Sequence, residues 1–219
     1  GVDNIRDAGG WMGLNGKRVR MNRILRTAGL RRSSKKKGSG FVASAYSVGV
    51  TNITANGLKH LKEAFAIKTD IELRTKDETI YMKSSLLGDE VNWVAEPFVA
   101  YQYIDGFARG REPFARIFRH FLDEKNYPIL IHCSGGRDRT GTIVFILNGL
   151  LGVSDEDLCR DWEVSAFCND ALSFGSSRLG RLTGYLNDLG GATLAENCEL
   201  YARSCGISEE EIERFRALM

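Results

Sequence analysis

The sequence predicts an α/β fold, with a central, mainly parallel sheet flanked by helices and a helical C-terminal part. Three observations lead there. A short apolar run at 129–131 ends in a polar loop, and a second apolar run follows at 143–147; this is the layout of a strand that turns into a helix. Upstream, strand-like and helix-like patterns alternate. Beyond residue 153, three helix-start signals follow one another. With 219 residues the chain suits one domain, 1–219, with a full core.

Each element has its own signal. Asn15-Gly16-Lys17 carries the Asn-Gly pair that closes β-hairpins, and Val19, Met21, Ile24 and Leu25 follow with the mixed spacing of short strands. Arg31-Arg32-Ser33-Ser34-Lys35-Lys36-Lys37 is a dense basic run leading into Gly38-Ser39-Gly40, and it reads as a basic loop insertion at about 31–50. Thr54 is placed to cap a helix whose apolar positions are Leu58, Leu61 and Phe65. Residues 67–73 alternate apolar and polar and read as a strand, and 80–93 as a further hairpin. Phe114, Ile117, Phe118, Phe121 and Leu122 mark an amphipathic helix, with Pro113 suited to its first turn. Pro128 opens the strand that delivers Cys133. Ser154, Thr193 with Glu196, and Ser208 with Glu211 then start successive helices.

Composition narrows the partners. The formal net charge is +2, so no global field marks a nucleic-acid binder. No run approaches the ~18–20 apolar residues of a membrane span, so stable membrane insertion is not expected. The basic run reads as a solvated loop, with steering of polyanionic substrates or of an anionic membrane surface as the alternative. Cys133, Cys159, Cys168, Cys198 and Cys205 are an odd set without metal-type spacing, which fits reduced thiols in a soluble, cytoplasmic protein. The chain opens at Gly1, so secretion after removal of an N-terminal signal stays open. His60, His120 and His132 have no ligand spacing, and neither a metal nor another cofactor is expected.

The chemistry concentrates in His132-Cys133-Ser134-Gly135-Gly136-Arg137-Asp138-Arg139-Thr140-Gly141. A strand ending in such a loop before a helix aims successive N–H groups and the positive end of the helix dipole at one spot. A cysteine at the start of that loop is expected as thiolate, and an arginine six positions later can grip phosphate oxygens bidentately. Nucleophile, anion cradle and clamp together describe phosphoryl transfer through a phosphocysteine.

The segment resembles the protein tyrosine phosphatase signature, Cys-x5-Arg followed by Thr, and the resemblance implies that superfamily's fold. It further implies a nucleophile at Cys133, a clamp at Arg139, and phosphate-binding main-chain donors from Ser134, Gly135, Gly136, Arg137, Asp138 and Arg139. Thr140 would steady the departing thiolate, and His132 would order the loop. A general acid is needed for the leaving group. Asp138, inside the loop, is the first candidate, and Asp105 in Tyr103-Ile104-Asp105-Gly106-Phe107 the second. Arg137 offers a second cation for substrates with more than one phosphate. Arg74 and Arg6 could reach the pocket rim, with structural salt bridges as the alternative.

Further segments resemble the atypical bacterial and fungal tyrosine/lipid-type phosphatases. Asn4-Ile5-Arg6-Asp7-Ala8-Gly9-Gly10 is similar to the family's Asn-x-Arg-Asp-x-Gly-Gly opening, and Asn22-Arg23-Ile24-Leu25-Arg26-Thr27-Ala28 to its Arg-Leu-x-Arg-Ser segment. Asp70-Ile71-Glu72-Leu73-Arg74-Thr75-Lys76-Asp77-Glu78 resembles Ile-Asp-Leu-Arg-x-x-x-Glu, and Cys205-Gly206-Ile207-Ser208 opens a tail like the family's Gly-Ile-Ser helix. Glu72 departs from the usual Asp, and the 31–50 insertion has no counterpart in the pattern. The implied activity is a cysteine-dependent phosphomonoester phosphatase, with a phosphorylated protein (phosphotyrosine, with dual specificity possible) as substrate. A phosphoinositide or inositol phosphate is the alternative, and an inactive phosphate-binding module or a sulfur-transfer loop a remote one. Oligomeric state is not legible.

Overall fold

The computed structural model describes residues 1–31, 51–99, 106–168 and 177–219. In chain order the elements are β1 (Arg6–Asp7), β2 (Ile24–Ala28), α1 (Ala55–Glu63), β3 (Thr69–Glu72), β4 (Asn92–Ala95), α2 (Gly106–His120), β5 (Ile129–Cys133) and α3 (Asp138–Leu150). Then come α4 (Asp155–Val164), α5 (Ser177–Asn187), α6 (Leu194–Ser204) and α7 (Glu209–Leu218). The sheet order is β1-β2-β5-β3-β4. In this sheet of the described residues β1 and β2 pair antiparallel, while β2, β5, β3 and β4 run parallel.

A parallel sheet needs cover on both faces, and two apolar clusters supply it. The larger packs α3 (Ile143, Ile146, Leu150) against Phe114, Phe118 and Phe121 of the α2 region and against the C-terminal helices through Tyr201 and Phe215. The smaller joins α1, through Leu61, to Leu25, Leu130, Ile67 and Leu87 on the other face. β5, all five residues buried, lies at the centre. The loop after it is therefore delivered from the fully buried centre of the sheet.

The local signals are mostly met. Thr54 caps α1, its hydroxyl accepting from the Gly57 N–H, and Ser154 caps α4 in the same way. Ser208 and Glu211 form a reciprocal capping box. At α6 the hydroxyl of Thr193 takes the Glu196 N–H, but the Glu196 carboxylate takes the Ala192 N–H, so that box is displaced by one residue. Asn15 and Gly16 both have left-handed φ, but the ladder that they close is one bridge, Met12 with Arg18.

Three expectations are corrected. Residues 80–93 form no hairpin: Asn92–Ala95 alone become a strand, parallel to β3, because edge pairing with β3 outbids pairing within the segment. Pro113 lies inside α2, which already begins at Gly106, and not in its first turn. Its missing N–H costs one helical bond, which tertiary packing of the Phe114 face offsets. Alternation across β3 would mark a half-exposed strand, yet all four of its residues are buried. Its polar side chains, Asp70 and Glu72, are satisfied inside the protein by Ser85, His132 and Arg74. Among the described residues, no helix is long and apolar enough to cross a membrane.

Candidate active site

Cys133 ends β5, beside Ala28 of β2, and His132 lies between Thr27 of β2 and Glu72 of β3. The chain then turns through residues 134–137 into α3, whose first helical residue is Asp138. The turn depends on Gly136, which adopts φ +63° and whose missing Cβ would lie 2.4 Å from the Thr27 carbonyl oxygen.

The loop is held by its carbonyls. Asn4 Nδ2 donates to the Gly135 and Gly136 oxygens at 3.1 and 2.8 Å. Arg26 Nη2 donates to Gly136 at 2.9 Å, and the Gly29 N–H to Ser134 at 3.1 Å. With the oxygens turned outward, the N–H groups face in, and those of Gly136 and Thr140 reach the Cys133 sulfur. Burial pushes this thiol up, but the Arg139 charge, the Thr140 hydroxyl and these two N–H groups outweigh it and hold the pKa below the ordinary cysteine value. Among the described residues, the buried Thr140 hydroxyl has no hydrogen-bond partner besides that sulfur.

Arg139 is oriented by Glu78. The two side chains meet at Nη1–Oε2 2.6 Å and Nη2–Oε1 3.0 Å, and Ser134 Oγ donates to Glu78 at 2.9 Å while accepting from Arg139 at 3.2 Å. Burial resists the Glu78 charge, yet the Arg139 bonds bring the carboxyl down to about 2, and the pairing keeps Arg139 above its ordinary value. His132 Nε2 lies 2.7 Å from Asp70 Oδ1, with Glu72 Oε2 3.6 Å from Nδ1. Burial disfavours the imidazolium, but Glu72 and Asp70 prevail and raise it to about 9.

Of the two accounts open for Arg74 and Arg6, pocket rim or structural salt bridge, both residues take the salt bridge. Arg74 is fully buried, forked onto Glu72 (Nε–Oε1 2.8 Å, Nη2–Oε2 2.5 Å) and donating to the Arg31 carbonyl. The longer Glu72 side chain thus serves Arg74 and faces His132 at once. Arg6 lies under the loop, paired with Asp161 at 2.8 Å and donating to Asn4 Oδ1. Asp138 stands in the first turn of α3, with Arg178 Nη1 of α5 at 2.9 Å. The Arg137 side chain runs along Gly135. Asp105, like residues 32–50 of the basic insertion, lies outside the described residues.

Sequence reading missed Asn4, Arg26 and Glu78 as working parts, although each stands in a segment that it singled out. Asp161 and Arg178 had no signal: both are charged residues on amphipathic helices, and only the fold brings them to the loop. Among the described residues, no three His, Cys, Asp or Glu side chains gather as a metal site would need. What the arrangement offers is a buried thiol held below its ordinary pKa at the base of a loop whose N–H groups face in, with a pre-oriented guanidinium beside it.

The model of the tyrosine phosphatase family matches residues 1–219. A tyrosine-protein phosphatase of Nostoc commune is 24% identical over 194 residues, which cover 70% of this chain and 66% of that protein. The chain thus spans about two thirds of that relative's length. The inositol diphosphatase DSP2 of Arabidopsis thaliana is 29% identical over 102 residues, 34% of this chain and 40% of that one. The solved structure of P. aeruginosa TpbA in complex with pTyr shares the fold, with a TM-score of 0.50 and 13% identity over 87% of this chain and 90% of that one.

Proposed function

The chain belongs to the tyrosine phosphatase family, and from that premise we propose that it hydrolyses phosphate monoesters through a phosphocysteine on Cys133, with phosphotyrosine in proteins as substrate. The observation that carries the reading is the thiol itself. It is buried, held below its ordinary pKa, and faced by loop N–H groups and by Arg139.

The substrate phosphate enters the cradle, with its oxygens shared between loop N–H groups and Arg139. The thiolate attacks phosphorus; the S–P bond forms as the bond to the ester oxygen breaks, and that oxygen takes a proton from a carboxyl group. Asp138 is the first candidate donor, and it must then be protonated and released from Arg178; Asp105 is the second. Water next attacks phosphorus, giving its proton to the same carboxylate. The S–P bond breaks, and the thiolate returns to the Thr140 hydroxyl and the loop N–H groups, while inorganic phosphate leaves.

A second reading, phosphate esters of inositol, is favoured by Arg137 at the loop and by the likeness to a protein named inositol diphosphatase. Cys133→Ser should reduce p-nitrophenyl phosphate turnover to background in a folded protein; undiminished turnover overturns the mechanism. A panel of phosphotyrosine peptide, phosphoserine peptide, phosphoinositide and inositol hexakisphosphate then decides the substrate. The highest kcat/KM is expected for phosphotyrosine, and a preference for the inositol compounds replaces it with the second reading.

A further inference from the structure

The steps above use Arg139 and leave a second guanidinium behind the loop without a task. Arg26, on β2, is fully buried, with Nη1 2.6 Å from Asp161 Oδ2 and Nη2 2.9 Å from the Gly136 carbonyl. Arg6 occupies the other oxygen of Asp161 at 2.8 Å. Two guanidinium groups on one carboxylate leave this cluster with an excess positive charge, which is costly under cover unless an anion answers it. Burial pulls Arg26 down to about 10; Asp161 supports its charge, neighbouring Arg6 opposes it, and the Cys133 sulfur, when anionic, adds a smaller support. Such support is mutual: a cation favoured by the thiolate favours the thiolate in turn.

Asn4 connects the cluster to the sulfur. Its Oδ1 accepts from Arg6, and its Nδ2 donates to the Gly135 carbonyl. That carbonyl and the Gly136 N–H are the two ends of one peptide unit, and the N–H end is directed at Cys133. A donor on the oxygen polarises the N–H at the other end.

We propose that the Arg26–Asp161–Arg6 cluster is a second cationic support for the Cys133 thiolate, acting from behind the loop through Asn4 and the 135–136 peptide, with Arg26 as its positioning residue. The inference rests on the reading of Cys133 as nucleophile. Its use is physical. Arg139 divides its charge between Glu78 and an arriving phosphate dianion, whereas Arg26, fully buried on Asp161 and the Gly136 carbonyl, is out of substrate's reach and carries the same charge whether or not phosphate is bound. The other charged groups around Cys133 are Arg139 with Glu78 and Asp138, then His132 with Asp70, Glu72 and Arg74 on the β3 side; none of them changes in the variants below.

The test is the pH dependence of Cys133 alkylation by iodoacetamide, read by mass spectrometry of its peptide in the full chain without substrate. Arg26→Gln should raise the midpoint by about one pH unit, a roughly tenfold loss of thiolate below it. Asp161→Asn removes the counter-charge and should lower the midpoint. Opposite signs mark a charge effect, since a merely loosened loop would raise both. If Arg26→Gln does not fold, Asn4→Ala takes its place with a rise expected. Midpoints that move together, or do not move, overturn the inference. If they move as stated while the native chain hydrolyses no phosphate ester, the proposed function fails and this inference stands.

Discussion

Glu78 holds Arg139 at both ends of its guanidinium, at 2.6 and 3.0 Å, with both side chains largely covered. The guanidinium is therefore held in place by the protein itself, and a phosphate bound there as proposed need not order it. Glu78→Gln keeps the size and removes the charge. We expect kcat/KM for p-nitrophenyl phosphate to fall about ten- to hundredfold, in line with the ~1.5–3 kcal/mol of a charged hydrogen bond. Unchanged kcat/KM in a variant with a native circular dichroism melt would refute the orienting role.

The same pair sets an acid limit. Glu78 sits at about 2 when folded against an ordinary 4.5, so its contribution to stability is complete above the ordinary value and is lost as pH falls through about 2. Unfolding midpoints across that window should drop less steeply in Glu78→Gln than in the native chain; parallel curves would remove Glu78 from the acid transition.

His132 titrates with the opposite sign. Raised from 6.5 to about 9, it contributes stability that is fully present below 6.5 and is lost as pH climbs through about 9. Denaturation of Cys133→Ser, in which the thiol does not titrate, should show this alkaline loss, and adding His132→Gln should flatten it.

Neighbouring glycines should differ sharply. An alanine Cβ at Gly136 would need φ +63° and would meet the Thr27 oxygen at 2.4 Å, backbone against backbone. At Gly135 the nearest atom is Arg137 Nε at 3.0 Å, on a side chain that can move. Gly136→Ala should cost about 2 kcal/mol or more and abolish turnover, while Gly135→Ala should stay within about 0.5–1 kcal/mol in a urea titration.

The general acid is separable by leaving group. Asp138→Asn should lower kcat for phenyl phosphate by about 10²–10⁴ and for p-nitrophenyl phosphate by less, because nitrophenolate leaves without a proton. The full effect from Asp105→Asn, with Asp138→Asn near native, would reverse the order of the two candidates.

Much of this was legible in the chain because the information is local. The short apolar run bounded by Pro128 and a glycine loop reads as a strand delivering Cys133, and Ser154, Thr193 and Ser208 start helices by bonds that span three residues. Cys133, Arg139 and the loop N–H groups between them lie within one short stretch and share one turn of backbone. Where patterning misled, a distant partner had overruled it: β4 chose β3 over a hairpin, and Asp70 and Glu72 went inward because His132, Ser85 and Arg74 waited there.

The sequence by itself determined the α/β fold, the strand–loop–helix, and the placing of Cys133 and Arg139 at the two ends of its loop. Only the tertiary structure decided what supports them: Glu78 orienting Arg139, Asn4 and Arg26 turning the loop carbonyls outward, and Asp161 and Arg178 arriving from α4 and α5. The reason is range. Capping, turn and strand signals act over a few bonds along the chain, whereas buried charges take their meaning from partners brought close by packing, and the spacing between Arg26 and Asp161 along the chain carries no trace of the 2.6 Å between them in space.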